Sequence, residues 1–237
     1  MAATKPTQRS ITEDYVNAFD GMRSYQKMRL GYIYGGLFVG FTCEGAREPH
    51  VYKPTFHLHN LAKPSPTVSL AAAHTYRPRG VPMTVRFGRH GESLSQMVDY
   101  FSASCPLVHS MNRSMGLVRA HNSAHLDSLR DTVLFPNILE HEILIYQLAY
   151  FGDTDGALKL AESTIDMLSG IPEDRVYRFS GGSKKGWMEQ LNSDFLRIHD
   201  SVAASITDLK LAALEHYKGE QGVSPKSDRA RESDIDG

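Results

Sequence analysis

Tyr32-Ile33-Tyr34-Gly35-Gly36-Leu37-Phe38-Val39-Gly40-Phe41-Thr42-Cys43 opens the part of the chain that decides the fold. Aromatic and β-branched residues dominate it, which is the composition of a pleated, packed strand. Three further runs of this character follow, Tyr52 to Asn60, Thr67 to Tyr76 and Pro82 to Gly88. Pro or Gly punctuates them at Glu48-Pro49, Lys63-Pro64-Ser65-Pro66 and Pro78-Arg79-Gly80. Connections this short leave no room for crossover helices, so the four strands pair antiparallel as a meander. Gly35-Gly36 inside the first run predicts a bulge or a strong bend.

Working outward from the strands, Ser10-Ile11-Thr12-Glu13 has the pattern of a capping box, and Tyr15, Phe19, Met22 and Met28 recur at helical spacing behind it. The spacing predicts a helix over 11–28. After Glu92 the periodicity turns helical. Leu94, Met97, Val98 and Phe101 mark one helix that Pro106 ends, and Asn122 or Ser123 caps a second reaching Val133. Ile138 to Phe151 carries Ile143, Leu144, Leu148 and Ala149 inward, Gly156 to Ser169 forms the next helix, and Trp187 to about Lys218 the last, weakened near Asn192-Ser193. The fold class is therefore α+β: a four-stranded antiparallel sheet in the N-terminal half, covered by a mainly helical C-terminal half.

The chain has 237 residues, 41% hydrophobic and 22% charged, with a formal net charge of −1. That is ample for a buried core, and nothing in the charge balance demands a nucleic acid or a membrane surface. Cys43 and Cys105 form no metal or disulfide pattern, which favours a reducing, cytoplasmic setting. Residues 1–9 lack the apolar segment of a secretory signal, and no window approaches a membrane span. The polar composition of 1–9 and 218–237 predicts tails flanking residues 10–105, the first helix with the sheet, and 106–217, the helical region packed on it within the same domain.

Arg89-His90-Gly91-Glu92-Ser93 follows the strand-like run Met83 to Phe87. This arrangement resembles the catalytic turn of the histidine phosphatase and phosphoglycerate mutase superfamily. The resemblance implies His90 as the nucleophile on phosphorus and Arg89 as a phosphoryl ligand, with Arg119 of Ser114-Met115-Gly116-Leu117-Val118-Arg119-Ala120 as a second. The chain departs from that pattern in three respects. The segment between the two matches is short, no later strand ends in a second His-Gly, and the strands read as antiparallel rather than as a parallel α/β sheet. The bottom-up reading makes 88–91 a strand-to-helix turn with Glu92 at the helix N-terminus.

Alternation places His57 and His59 on one face of their strand, and His74 or His90 from neighbouring strands would complete a set of imidazoles able to hold a divalent metal. His121 and His125 form a separate i, i+4 pair with no glutamate between them that could act as base. Arg77, Arg79, Arg86 and Arg89 gather around one loop and strand, with His90 beside them, as a basic edge for a protein partner, an anionic ligand or a nucleic acid. Gly152-Asp153-Thr154-Asp155-Gly156-Ala157-Leu158 resembles the helix-turn-helix of a tetratricopeptide repeat. With no second copy, it reads as a lone helical hairpin packed on the sheet. Ser180 to Gly186 shares only composition with a phosphate loop and reads as a linker.

The resulting expectation is a non-enzymatic interaction or inhibitor-like protein, of an architecture also found among immunity-type proteins, that binds a protein partner through a sheet face or the basic edge. Its contact residues would be Arg77, Arg79, Arg86, Arg89, His90 and Arg119. The alternative is a phosphoryl-transfer or metal-dependent hydrolase using the Arg89-His90-Gly91 turn or the His57/His59 strand.

Overall fold

A computed structural model of the chain describes residues 6–45, 48, 50–129, 138–170, 172–173, 182–212 and 214. The expected C-terminal tail lies outside these residues. Of the expected N-terminal tail the described part already enters a helix, α1 (Gln8–Ala18).

The capping box that starts α1 sits one turn earlier than expected, with Thr7 accepting from the Ser10 amide and Ser10 Oγ accepting from the Thr7 amide. The helix also stops ten residues sooner. Phe19 closes it, and Gly21 takes the left-handed conformation, φ 75°, that turns the chain away. Met22 and Met28 still enter the core, but from the flanks of a strand, β1 (Arg23–Gln26). Helical spacing there is thus a coincidence of two separate elements. Thr12 locks the joint, donating from its hydroxyl to the Gln8 carbonyl and accepting from the Met28 amide at 2.9 Å.

The run from Tyr32 to Cys43 is two strands, β2 (Arg29–Tyr34) and β3 (Leu37–Gly45). Gly35 and Gly36 form the two-residue turn between them, with Gly35 at φ 58°, so the bend expected at this pair is a complete hairpin. β4 (Val51–Asn60) pairs with β3 along its whole length, and β5 (Ala71–Thr75) follows. The sheet is antiparallel as anticipated but has six strands instead of four: β1 to β5 form a meander in the order β1-β2-β3-β4-β5, and the run expected as the fourth strand is a short β6 (Val85–Arg86) that pairs with the start of β4 instead of extending the meander.

Period-two alternation divides the sheet into two apolar faces. Tyr32, Val39 and Leu58 stand in register on the first, as do Phe41 and Phe56. That face packs on α1, on α2 (His90–Ser104) and on Val118 of α3 (Met115–Leu129). The helix expected from Asn122 begins seven residues earlier, where Ser114 Oγ accepts from the Leu117 amide, and Asn122 becomes a buried interior position. The second face presents Phe38, with His57 beside it. Phe38 belongs to a second core built from α4 (Ile138–Tyr150), α5 (Thr154–Met167), α6 (Lys184–Leu196) and α7 (Ile198–Asp208).

α4 joins the two cores, giving Ile143 and Leu144 to one and Ile145, Tyr146 and Ala149 to the other. It is fixed to the sheet through the backbone. Gln147 donates to the Tyr34 carbonyl and accepts from the Gly36 amide, both at 2.9 Å, gripping the β2–β3 turn. The hairpin expected around Gly152 is present as α4 and α5, with Gly152 at φ 86° and Asp153 capping the second helix through the Gly156 amide. The described part of the glycine-rich segment is the start of α6, where Ser183 Oγ accepts from the Gly186 amide. The final helix breaks at Arg197 into α6 and α7. Among the described residues no helix is long and apolar enough to cross a membrane.

Candidate functional site

His90 sits at the first position of α2, and the burial of Tyr52 and Tyr15 around it decides its chemistry. Its Nδ1 lies 2.6 Å from the Tyr52 hydroxyl and its Nε2 3.1 Å from Asp14. A carboxylate only accepts, so Nε2 carries the proton and Nδ1 accepts from Tyr52. Burial lowers the affinity of the ring for a second proton, against the pull of Asp14. The Tyr52 hydroxyl in turn lies 3.3 Å from that of Tyr15, which also donates to Met97 Sδ. Both ring nitrogens of the buried imidazole are therefore engaged, Nδ1 by buried Tyr52 and Nε2 by half-exposed Asp14, and neither is presented to a phosphoryl group. Arg119 is exposed on the outer side of α3, with no hydrogen bond to His90 among the described residues. The geometry gives His90 the role of a pin between α1, β4 and α2.

The histidine strand does not assemble a metal site. His57 and His59 share a face as expected, but the β4–β5 register puts His74 opposite Phe56 and hence on the other side of the sheet. The register shift beyond Phe56 accompanies Ala72, which takes a left-handed φ of 47°. His74 instead pairs with the Tyr100 hydroxyl at 2.8 Å. Burial drives the second-proton affinity of His57 down to a pKa of about 3, helped by His59 and Arg29, and that of His59 to about 4. His121 donates to the Ala72 carbonyl, and His125 stands 3.7 Å from Glu140. Among the described residues no group of three or more His, Cys, Asp or Glu side chains is placed to hold a metal ion.

The arginines are placed differently. The chain leaves β5 at Tyr76, which is buried against Tyr100 and Phe101, and returns at buried Val85. Between them residues 77–84 project as an excursion closed by two backbone bonds, Met83 amide to Tyr76 carbonyl and Gly80 amide to Arg77 carbonyl, each 3.0 Å. Arg77 and Arg79 are exposed on it, Arg86 on β6 and Arg89 just before α2. None of the four is in an ion pair among the described residues. Val81 and Met83 stand on the same excursion with 66% and 44% of their surface exposed. These two apolar residues, flanked by exposed guanidinium groups, were not singled out by sequence reasoning. The prolines at 78 and 82, which stiffen the loop, are the signal that marks it.

A second polar site lies at the other end of β5, in a cleft of about 500 Å³ between the segment 61–70 and the start of α4. Lys63 Nζ makes two bonds to Glu142, at 2.9 and 2.7 Å, and Glu142 Oε1 also accepts from the Trp187 indole at 2.8 Å. Glu140 accepts from the Ala72 amide at 2.6 Å. His59 Nδ1 accepts from the Ser69 amide at 3.0 Å, which places the proton of the neutral ring on Nε2. Lys63, Glu140 and Glu142 were missed because 79 positions separate Lys63 from Glu142. The available signal was Glu140-His141-Glu142 within an otherwise apolar helix, since charges carried into a core require partners.

Compared with protein-family models, curated proteins and solved structures, the chain matches none of them.

Proposed function

We propose that this chain is an interaction protein that docks an acidic protein surface on the excursion 77–84 and the adjoining Arg86 and Arg89. The observation that carries this reading is the coincidence of exposed Val81 and Met83 with Arg77 and Arg79 on one backbone-closed loop, beside exposed Arg86 and Arg89, none of the four arginines being in an ion pair among the described residues. Arginine forms bidentate bonds to carboxylates, and a partly apolar patch rimmed by charge is the composition of a protein interface. The apolar pair separates this reading from nucleic-acid binding, where phosphate contacts from basic side chains supply most of the affinity.

Edge-strand addition is not the mode this surface supports. On β5 the Ala72 amide and carbonyl are taken by Glu140 and His121, and the Thr75 carbonyl by Tyr100. Docking therefore runs through side chains. The test compares the proteins retained from native cell extract by the natural chain and by an R77E/R79E chain of unchanged stability. A specific acidic partner that is lost on charge reversal and weakened by salt supports the reading. Identical retention by both chains overturns it.

A further inference from the structure

Ala72, near the start of edge strand β5, has a left-handed φ of 47°, a strained conformation for a residue with a Cβ. Two side chains from outside the sheet hold it there. His121 of α3 donates to its carbonyl at 3.0 Å, and Glu140 of α4 accepts from its amide at 2.6 Å. The ladder to β4 is short and broken by a register shift between Phe56 and Leu58, so the seating of β5 leans on such side-chain contacts. His74 makes the next one. Its ring lies against Tyr100 and Phe101 of α2, with Nε2 2.8 Å from the Tyr100 hydroxyl. That hydroxyl donates to the Thr75 carbonyl at 3.3 Å, so His74 Nε2–H donates to Tyr100 and Nδ1 is the nitrogen that takes a second proton.

A charge on that ring meets few friends. Around it stand Tyr100 from α2, His121 and His125 from α3, and Arg77 at the start of the excursion, while Glu140 of α4 is engaged with the Ala72 amide and lies 3.7 Å from His125. Burial above all, and then His121, Arg77 and His125, hold the His74 pKa down to about 4. Lifting the strand off the helices returns the imidazole to its ordinary range. The lifted state therefore binds a proton that the seated state refuses, gains population as pH falls, and also relaxes Ala72. We propose that β5 is an acid-released latch: protonation of His74 frees Ala71–Thr75, and with it the root of the excursion 77–84, from α2 and α3 while β2, β3 and β4 stay paired. The release belongs to the fold and holds whatever the excursion binds.

Amide hydrogen exchange of the full chain, followed by NMR at pH 7.5 and pH 5 and corrected for the intrinsic rate, tests the latch. At pH 7.5 the amides of Ala72 and Tyr76 are expected to be at least about tenfold less protected than those of Val39 and Phe41 on β3, because they open without the rest of the sheet. At pH 5 their protection falls by at least about a further tenfold. In His74→Gln, whose side chain cannot charge, that fall shrinks below about threefold. In His57→Gln it persists, because His57 lies on β4 and stays seated when β5 alone lifts. Equal protection of β5 and β3 at pH 7.5, or no fall at Ala72 and Tyr76 by pH 5, overturns the proposal without need of a variant. So does a fall undiminished in His74→Gln or abolished in His57→Gln.

Discussion

The Tyr52 hydroxyl and His90 Nδ1, both on buried side chains, are 2.6 Å apart, and this bond turns an Arg-His-Gly signature into a structural joint. Three elements meet there, since the other side of the ring holds Asp14 of α1. Removing the imidazole leaves Tyr52 without its acceptor. His90→Ala is expected to lower unfolding free energy by about 2–4 kcal/mol, and Tyr52→Phe by about 1–3 kcal/mol. Urea denaturation measures both. Phosphohistidine formed on the natural chain with a phosphoryl donor, and absent from His90→Ala, would contradict the joint.

Gly40 sits where a side chain has no room. A Cβ there would lie 2.3 Å from the His57 ring and 2.7 Å from that of Phe38. Gly40→Ala is expected to destabilise the chain by at least about 1–3 kcal/mol through overpacking. Combined with His57→Ala, which opens the space, the loss should be smaller than the sum of the two single changes. Strict additivity in a double-mutant cycle would refute the contact.

Asn122 is 1% exposed, and among the described residues neither its amide nitrogen nor its oxygen finds a partner. An unsatisfied buried amide costs more than an apolar group of similar shape. Asn122→Leu should therefore raise stability by about 1–3 kcal/mol, read as a higher urea midpoint at unchanged slope. A lower midpoint would show that the amide has a role the fold depends on.

Acid should unfold this protein through its imidazoles. The folded-state pKa falls from 6.5 to about 3 for His57 and to about 4 for His59, in both cases chiefly through burial. The unfolded chain then binds protons that the folded chain refuses. Stability is full above the ordinary imidazole range and is lost progressively as pH falls from there toward 4. His57→Gln should flatten that slope while leaving stability above pH 7 less affected than stability at pH 5. An unchanged slope in thermal melts across this range would remove His57 from the account.

The strands were legible because Pro and Gly bound them and β-branched and aromatic residues fill them. β1 was not, since Met22 and Met28 fall at helical spacing although Gly21 separates them from α1. Gly35-Gly36 suits a bulge and a hairpin turn equally, and only pairing with β3 distinguishes the two. The position of His74 depended on a register shift at Ala72, a non-glycine residue at positive φ with no sequence signature. The arginines of the basic edge were readable because they lie within thirteen positions of one another, from 77 to 89. The cleft was hidden because it joins side chains from distant segments.

Partner docking on the excursion 77–84 is tested most directly by placing a photo-crosslinking residue at Val81 in the native cell. The prediction is a covalent adduct with a polypeptide, lost when Arg77 and Arg79 are both changed to Glu. An adduct with nucleic acid alone, no adduct, or a polypeptide adduct indifferent to those two charges would contradict the proposed function.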